Sequence, residues 1–281
     1  MSVQDLDIAE LYRRDGFVFP VDAVSEAEAG AIRADLEAAE AELADDRDSL
    51  SILRSYPDRL LPSFDRLIRT PRLIETVQRI LGPDLMVWSS GLFIKEANTA
   101  SIVTWHQDLT YWGLDDVDEI TAWVALSPST VESGCMRFVP GSHTRQIVPH
   151  VDTFAEDNLL SRGQEIAVEV DEADAVDVVL RPGQASLHHG HLFHSSGANR
   201  TGDRRLGTAL RYIAPSMQQK TGDRALVALV SGEDRHGHFT VAGSPRGRLD
   251  EADFELCRQD MAIKRRVLYE GVPDGRGRRY R

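Results

Sequence analysis

Apolar residues recur at helical spacing in the first third of the chain and in short strand-length runs after it. Ala29, Ile32, Leu36, Ala39 and Leu43 stand three and four apart among Glu, Asp and Arg, which predicts one amphipathic helix. Ser25 with Glu28 three residues on has the capping-box pattern that would start it. A second helix is expected from Thr70-Pro71, with Pro at the first helical position and Gly82-Pro83 as its stop. Its buried side would carry Leu73, Val77, Ile80 and Leu81. Ahead of both, Gly16-Phe17-Val18-Phe19 reads as a short apolar strand.

From about Leu85 the texture changes. Strand-like runs at Met86–Trp88, Leu92–Lys95, Ile102–His106, Ile120–Leu126, Met136–Val139, Ile166–Val170, Gln184–His188 and Arg205–Ile213 are separated by turn residues. Many short strands with such punctuation predict a sandwich, barrel or jelly roll. The expected fold is therefore mainly β with flanking helices, in a single domain. It would have a helical N-terminal part over about 1–84, a β core over about 85–214 and a C-terminal extension over about 215–281. The extension contains a final helix around Glu251–Leu268, with Leu256, Met261, Ile263 and Val267 on one side. His143–Gly163 has no period and is long for a loop, as lids and binding loops are.

Composition narrows the function classes. Hydrophobic residues at 42% and charged residues at 27% are ordinary for a globular protein. No apolar run nears the roughly 20 residues of a membrane span, and the acidic start lacks the features of a secretory signal. Cys135 and Cys257 are the only cysteines, too few for a disulfide scaffold, and they fit a reducing cytoplasm. A net charge of −13 argues against nucleic acid as a partner. Against that background, Lys264, Arg265, Arg266, Arg276, Arg278, Arg279 and Arg281 cluster near the C-terminus. They are expected to be a solvated or partly ordered tail, with a grip on an anionic substrate as the alternative.

The chemistry sits in Thr-Trp-His-Gln-Asp-Leu-Thr-Tyr-Trp-Gly. On a strand, His106 and Asp108 share a face while Gln107 points away. An imidazole and a carboxylate are two legs of a metal site, and two histidines with one carboxylate are the set used by non-haem Fe(II) oxygenases. His188, His189, His191 and His194 lie within seven residues downstream, and one of them is the natural third ligand. Eleven residues beyond His194, Arg205 opens the apolar run Leu206–Ile213. A buried arginine is costly unless it meets an anion, and its planar fork matches a carboxylate. It could instead snorkel at the strand end, and its neighbour Arg204 could be the exposed one of the two.

Together these segments resemble the phytanoyl-CoA dioxygenase family of Fe(II)/2-oxoglutarate oxygenases. Besides His106-Gln107-Asp108, His194-Ser195-Ser196-Gly197-Ala198-Asn199 and Arg205, the matches are the run Ala122–Leu126 and Glu132–His143, which contains Gly-Cys-Met-Arg-Phe-Val-Pro-Gly-Ser-His. Gly16-Phe17-Val18 followed by an acidic helix is similar to the family's N-terminus, so the resemblance spans about residues 10–214. It implies a double-stranded β-helix with iron in its mouth, held by His106, Asp108 and His194. It further implies 2-oxoglutarate anchored by Arg205 with Ser196 as a hydrogen-bonding partner and Trp123 nearby. His189, which matches another family histidine, would support the ligands from behind or be structural, His188 and His191 have no assigned role, and Asn199 would shape a turn.

Three protein ligands leave room for a chelating 2-oxo acid and O₂. Decarboxylation to succinate and CO₂ would then produce the oxidant that attacks an aliphatic C–H bond. Related halogenases carry a small residue where Asp108 stands, so hydroxylation is expected rather than halogenation. Desaturation or epoxidation share the same oxidant. The substrate is expected to be a small molecule, with Gln107, Tyr111 and Trp112 lining its pocket and His143–Gly163 as part of a lid. The acidity of the chain gives no support for an acyl-CoA. A metal-binding jelly roll without redox activity, with zinc in the site, is the alternative, and Arg205 is the feature that such a protein would not need.

Overall fold

The computed structural model describes residues 7–155 and 157–269. The N-terminal part runs α1 (Ile8–Asp15), β1 (Phe17–Asp22), α2 (Glu26–Glu42), α3 (Arg47–Ser55), α4 (Pro57–Leu60), α5 (Pro62–Ile68) and α6 (Pro71–Leu81). The β core follows as β2 (Leu85–Lys95), β3 (Val103–His106), β4 (Glu119–Ala125), β5 (Met136–Phe138), β6 (His150–Asp152), β7 (Gln164–Ile166) and β8 (Val176–Val178). It continues with β9 (Gln184–His188), β10 (His194–Ser196), β11 (Arg205–Ile213), β12 (Leu226–Ser231) and β13 (Thr240–Val241), before α7 (Glu251–Leu268) closes the described chain.

Two sheets form the jelly roll. The larger has the order β1-β9-β4-β11-β2-β12-β13, the smaller β3-β10-β5-β8, and β6-β7 make a separate ribbon. The helices cover one face of the large sheet. Leu36, Leu53, Leu60, Phe64 and Leu73 pack there on Ile120, Ala122, Val124, Leu187, Leu206, Leu210 and Tyr212. Because side chains alternate along a strand, the residues between those face the small sheet. Trp123, Ala125, Ala209, Met136 and Phe138 make the core there. The same alternation places Arg205, Gly207, Ala209 and Arg211 of β11 on the inner face.

The α2 capping box forms as its sequence predicts, with Ser25 Oγ accepting from Glu28 N and the Glu28 carboxylate accepting from Ser25 N. α6 begins at Pro71 and ends at Gly82, with Leu73 and Val77 fully buried. Elsewhere pairing overrides local pattern. The two runs expected at 86–88 and 92–95 are one strand, β2, because the nine-residue β11 pairs along it through Ser89-Ser90-Gly91. The strand expected at Ile166–Val170 lies instead at Gln164–Ile166, where the three-residue β6 gives it a partner. α7 occupies the predicted segment but turns a different side inward. Phe254, Cys257, Asp253 and Asp260 are buried, and Leu256 is exposed.

Candidate metal centre and the chambers around it

β3 ends at His106, and Asp108 opens a 3-10 turn rather than extending the strand. Gln107 is still extended, at φ −124° and ψ 131°, so Asp108 returns to the face of His106. Across the antiparallel pair, His194 of β10 stands opposite His106. These pairings bring one nitrogen or oxygen from each of His106, Asp108 and His194 within 4.8 Å of one another. His106 Nε2 is 3.4 Å and His194 Nε2 4.0 Å from Asp108 Oδ1. All three residues are buried.

Backbone carbonyls orient both rings. His106 Nδ1 lies 2.9 Å from Thr104 O, and His194 Nδ1 lies 2.9 Å from Leu192 O. A carbonyl can only accept, so each Nδ1 carries the proton and each Nε2 presents its lone pair inward. Burial, with the nearby His106, holds His194 well below the usual histidine range, so it is neutral and ready to ligate. Burial alone would raise the pKa of Asp108. Contacts with His106 and His188 and the charge of Arg211 overcome it and hold the carboxylate well below its ordinary range. Two imidazoles with one carboxylate fit a divalent iron.

His188, on the inner face of β9, extends this cluster. Its Nε2 is 3.7 Å from Asp108 Oδ2, and neither ring nitrogen has a hydrogen-bond partner among the described residues. Thr121 Oγ1 lies 3.4 Å from Asp108 Oδ2 and 2.7 Å from Glu119 Oε1. Burial and the Asp108 charge push the Glu119 carboxyl well above its ordinary range.

Behind the three ligands a narrow chamber runs between the sheets, lined by Trp123, Met136, Ser196, Ala209 and Arg205 among others. Arg205 is 2% exposed. Its Nη1 donates to Gly134 O at 2.7 Å, its guanidinium lies 5.0 Å from the Trp123 ring centroid, and its Nε has no partner among the described residues. Gly207 makes room for that indole, since a Cβ there would fall 1.9 Å from the Trp123 ring. Gly134, at φ +72°, lets the turn after β4 reach the same end, where a Cβ would fall 2.2 Å from Gly197 O.

A second basic side chain lies near this end. Lys95 is fully buried, and its Nζ donates to Ser196 Oγ at 2.7 Å and to the carbonyl of Gly197. Burial, with the Arg205 charge adding to it, pushes the ammonium down to about 6. Among the described residues neither basic side chain has a carboxylate partner, so the charge of Arg205 is left for an incoming anion to answer. The cost argument that singles out Arg205 in sequence applies equally to Lys95, at the end of Leu-Phe-Ile-Lys.

On the solvent side lies a cleft of about 710 Å³. Tyr111 and Trp112, expected beside the substrate, line this cleft; the Tyr111 hydroxyl donates to Asp152 Oδ1 at 3.2 Å, and Trp112 stacks on Trp88 with centroids 5.3 Å apart. Gln107 borders the cleft, but its amide is committed to the backbone, donating to Gln146 O and His191 O and accepting from Val148 N. Leu159, Leu160 and Ser161 place part of the 143–163 segment in the cleft wall. Asn199 ties a turn, donating to the carbonyls of Lys95, Glu96 and Asp203. Arg204, beside Arg205, points outward to Glu40 and Glu96. Of the basic tail, Lys264, Arg265 and Arg266 belong to α7, while Arg276, Arg278, Arg279 and Arg281 lie outside the described residues. No described helix is long and apolar enough to cross a membrane.

Comparison with known proteins places this architecture. The profile of the phytanoyl-CoA dioxygenase (PhyH) family matches residues 12–207. The chain superposes on the non-heme monooxygenase ThoJ with a TM-score of 0.84 at 35% identity, covering 93% of this chain and 97% of that one. It is similar to the alpha-ketoglutarate-dependent epimerase SnoN of nogalamycin biosynthesis, with a TM-score of 0.58 at 27% identity, covering 76% and 82%. Among curated proteins, a probable alpha-ketoglutarate-dependent hypophosphite dioxygenase of Stutzerimonas stutzeri is 26% identical over 161 residues, 56% of this chain and 55% of its own. The chain spans about half the length of the curated relatives it matches.

Proposed function

The chain belongs to the phytanoyl-CoA dioxygenase family of Fe(II)/2-oxoglutarate-dependent oxygenases, and from that premise we propose that it hydroxylates an aliphatic C–H bond of a small molecule, releasing succinate and CO₂. The observation that carries this reading is the buried guanidinium of Arg205 behind the ligand set, with the Lys95 amine close by. A protein that only bound metal would have no use for that charge, and burying it without an anion is costly.

His106 Nε2, His194 Nε2 and one Asp108 oxygen would hold the metal. Bound iron supplies the O₂ chemistry, for which side chains alone have no means. Arg205 and Lys95 receive the distal carboxylate of 2-oxoglutarate at the closed end, with Ser196 beside it. Trp123 walls that chamber and, held over Arg205 by the gap at Gly207, fixes the guanidinium plane. Tyr111 and Trp112 face the substrate, and Gln107 holds the wall behind them. Asp108 occupies the position left for halide in related halogenases, which favours hydroxylation. Desaturation or epoxidation would use the same side chains and differ only in the product.

Anaerobic addition of Fe(II) and 2-oxoglutarate tests the assignment. A weak visible charge-transfer band is expected, lost in Asp108→Ala and in Arg205→Ala. Neither band nor succinate formation in the wild-type protein would overturn it.

A further inference from the structure

The wide cleft is electrostatically unlike the rest of the molecule. The chain carries a net charge of −13, yet Arg47, Arg54, Arg211, Lys264 and Arg265 line this cleft. Asp108 is the one acidic residue among the described residues lining it, and that carboxylate is directed at the metal position. A cleft walled by one sign of charge concentrates ligands of the other.

Arg211 differs from Arg54 and Lys264. Arg54 is paired with Glu40 at 2.6 Å and Lys264 with Asp260 at 2.7 Å, so their charges are locally answered. Arg211 forms no ion pair among the described residues. Its Nε has no partner, and its Nη1 only approaches Ser89 Oγ at 3.5 Å. Asp108 and Glu119 feel its field, but neither is within ion-pair distance. The guanidinium lies over Trp112, 4.7 Å from the ring centroid, and its Nε is left without a partner among the described residues. Trp112 stacks on Trp88, and Lys264 lies 4.7 Å from the Trp88 ring, so an aromatic wall runs along the cleft beside these cations.

Position gives the group its use. Arg211, Phe93, His106 and Asp108 line both the wide cleft and the narrow chamber, so Arg211 stands at the throat between them. We propose that the substrate is an organic anion with an apolar or aromatic body, its anionic group held by Arg211 at the throat and its body laid along Trp112 and Trp88. The proposal rests on the narrow chamber being the 2-oxoglutarate site, since that leaves the cleft to the substrate. The C–H bonds within a few bonds of the anionic group are then those nearest the metal.

A matched pair of fluorescent probes tests this on the metal-free protein. 8-Anilinonaphthalene-1-sulfonate carries an anionic group on an aromatic body, and N-phenyl-1-naphthylamine is the same body without it. The sulfonate is expected to bind at least about tenfold more tightly, to weaken with added salt, and to lose about tenfold in affinity in Arg211→Gln. Arg211→Lys should retain part of the affinity, and the neutral probe should be insensitive to both changes. Equal binding of the two probes to wild-type protein, or binding of neither, overturns the proposal whether or not the variants fold. So does sulfonate binding unchanged in a folded Arg211→Gln.

The anaerobic 2-oxoglutarate band is recorded alongside. A band lost in Arg211→Gln would assign that guanidinium to the co-substrate and overturn the proposal. Probe discrimination without any wild-type band would refute the co-substrate assignment alone. A band without discrimination would refute the anionic substrate alone.

Discussion

Arg205 lines the inner chamber and Lys95 lies behind its Ser196, and the chemistry of both follows from being buried together. Burial lowers Arg205 only to about 10, so it keeps its proton at neutral pH, whereas Lys95 falls to about 6 and is mostly neutral there. A carboxylate arriving between them favours the charged amine and raises its pKa. Binding of 2-oxoglutarate should therefore take up close to one proton near pH 7.5, and its affinity should fall as pH rises from about 6 to the raised value. Titration calorimetry of the anaerobic Fe(II) protein in buffers of different ionisation enthalpy measures that proton directly. Lys95→Met should abolish the uptake. If wild-type protein takes up no proton, Lys95 does not meet the co-substrate.

Elements decide which of these residues could be read in the chain. His106 and Asp108 were legible because a single extended residue separates them, and that geometry survives the end of β3 at His106. Which downstream histidine joins them was not fixed by spacing. His188 and His194 both approach Asp108, and only the register of β10 against β3 sets His194 opposite His106. Lys95 and Arg211 went unremarked because Ser89-Ser90-Gly91 interrupts the apolar pattern of β2 and Arg211 sits late in β11. Their inward direction follows from pairing with neighbours distant in sequence. α7 shows the same limit, for its inward side is organised by a carboxylate rather than by apolar spacing. Asp260 accepts from Leu226 N at 2.6 Å and Tyr56 Oη at 2.9 Å, and pairs with Lys264. Replacing it by Ala leaves a buried amide, a hydroxyl and an ammonium without their acceptor, and removing one partner of a buried pair costs about 3 kcal/mol or more. Urea unfolding of Asp260→Ala should show a loss of that size. A change under about 0.5 kcal/mol would mean that α7 is held by its apolar contacts alone.

At the scale of the whole molecule, the two chambers lie in series. The large sheet carries Arg205 at one end of β11 and Arg211 six residues along, on the same inner face, so one strand serves both the closed end and the throat. The small sheet supplies His106 and His194 beside that throat. A ligand lodged against Arg211 and Trp112 therefore stands between solvent and Arg205, and this arrangement imposes an order of access. If the inner chamber takes 2-oxoglutarate as proposed, the co-substrate would have to pass before the cleft fills and would be retained once it is filled. Stopped-flow mixing of the anaerobic Fe(II) protein with 2-oxoglutarate should show a band that forms at least about tenfold more slowly when the cleft is first saturated with 8-anilinonaphthalene-1-sulfonate, with its decay on dilution slowed as well. Arg211→Gln should remove most of that delay, because the sulfonate would no longer be held at the throat. Equal rates with and without the occupant, under conditions where it is bound, would mean that the inner chamber opens to solvent by a second route. The serial arrangement would then have no part in setting the order of binding.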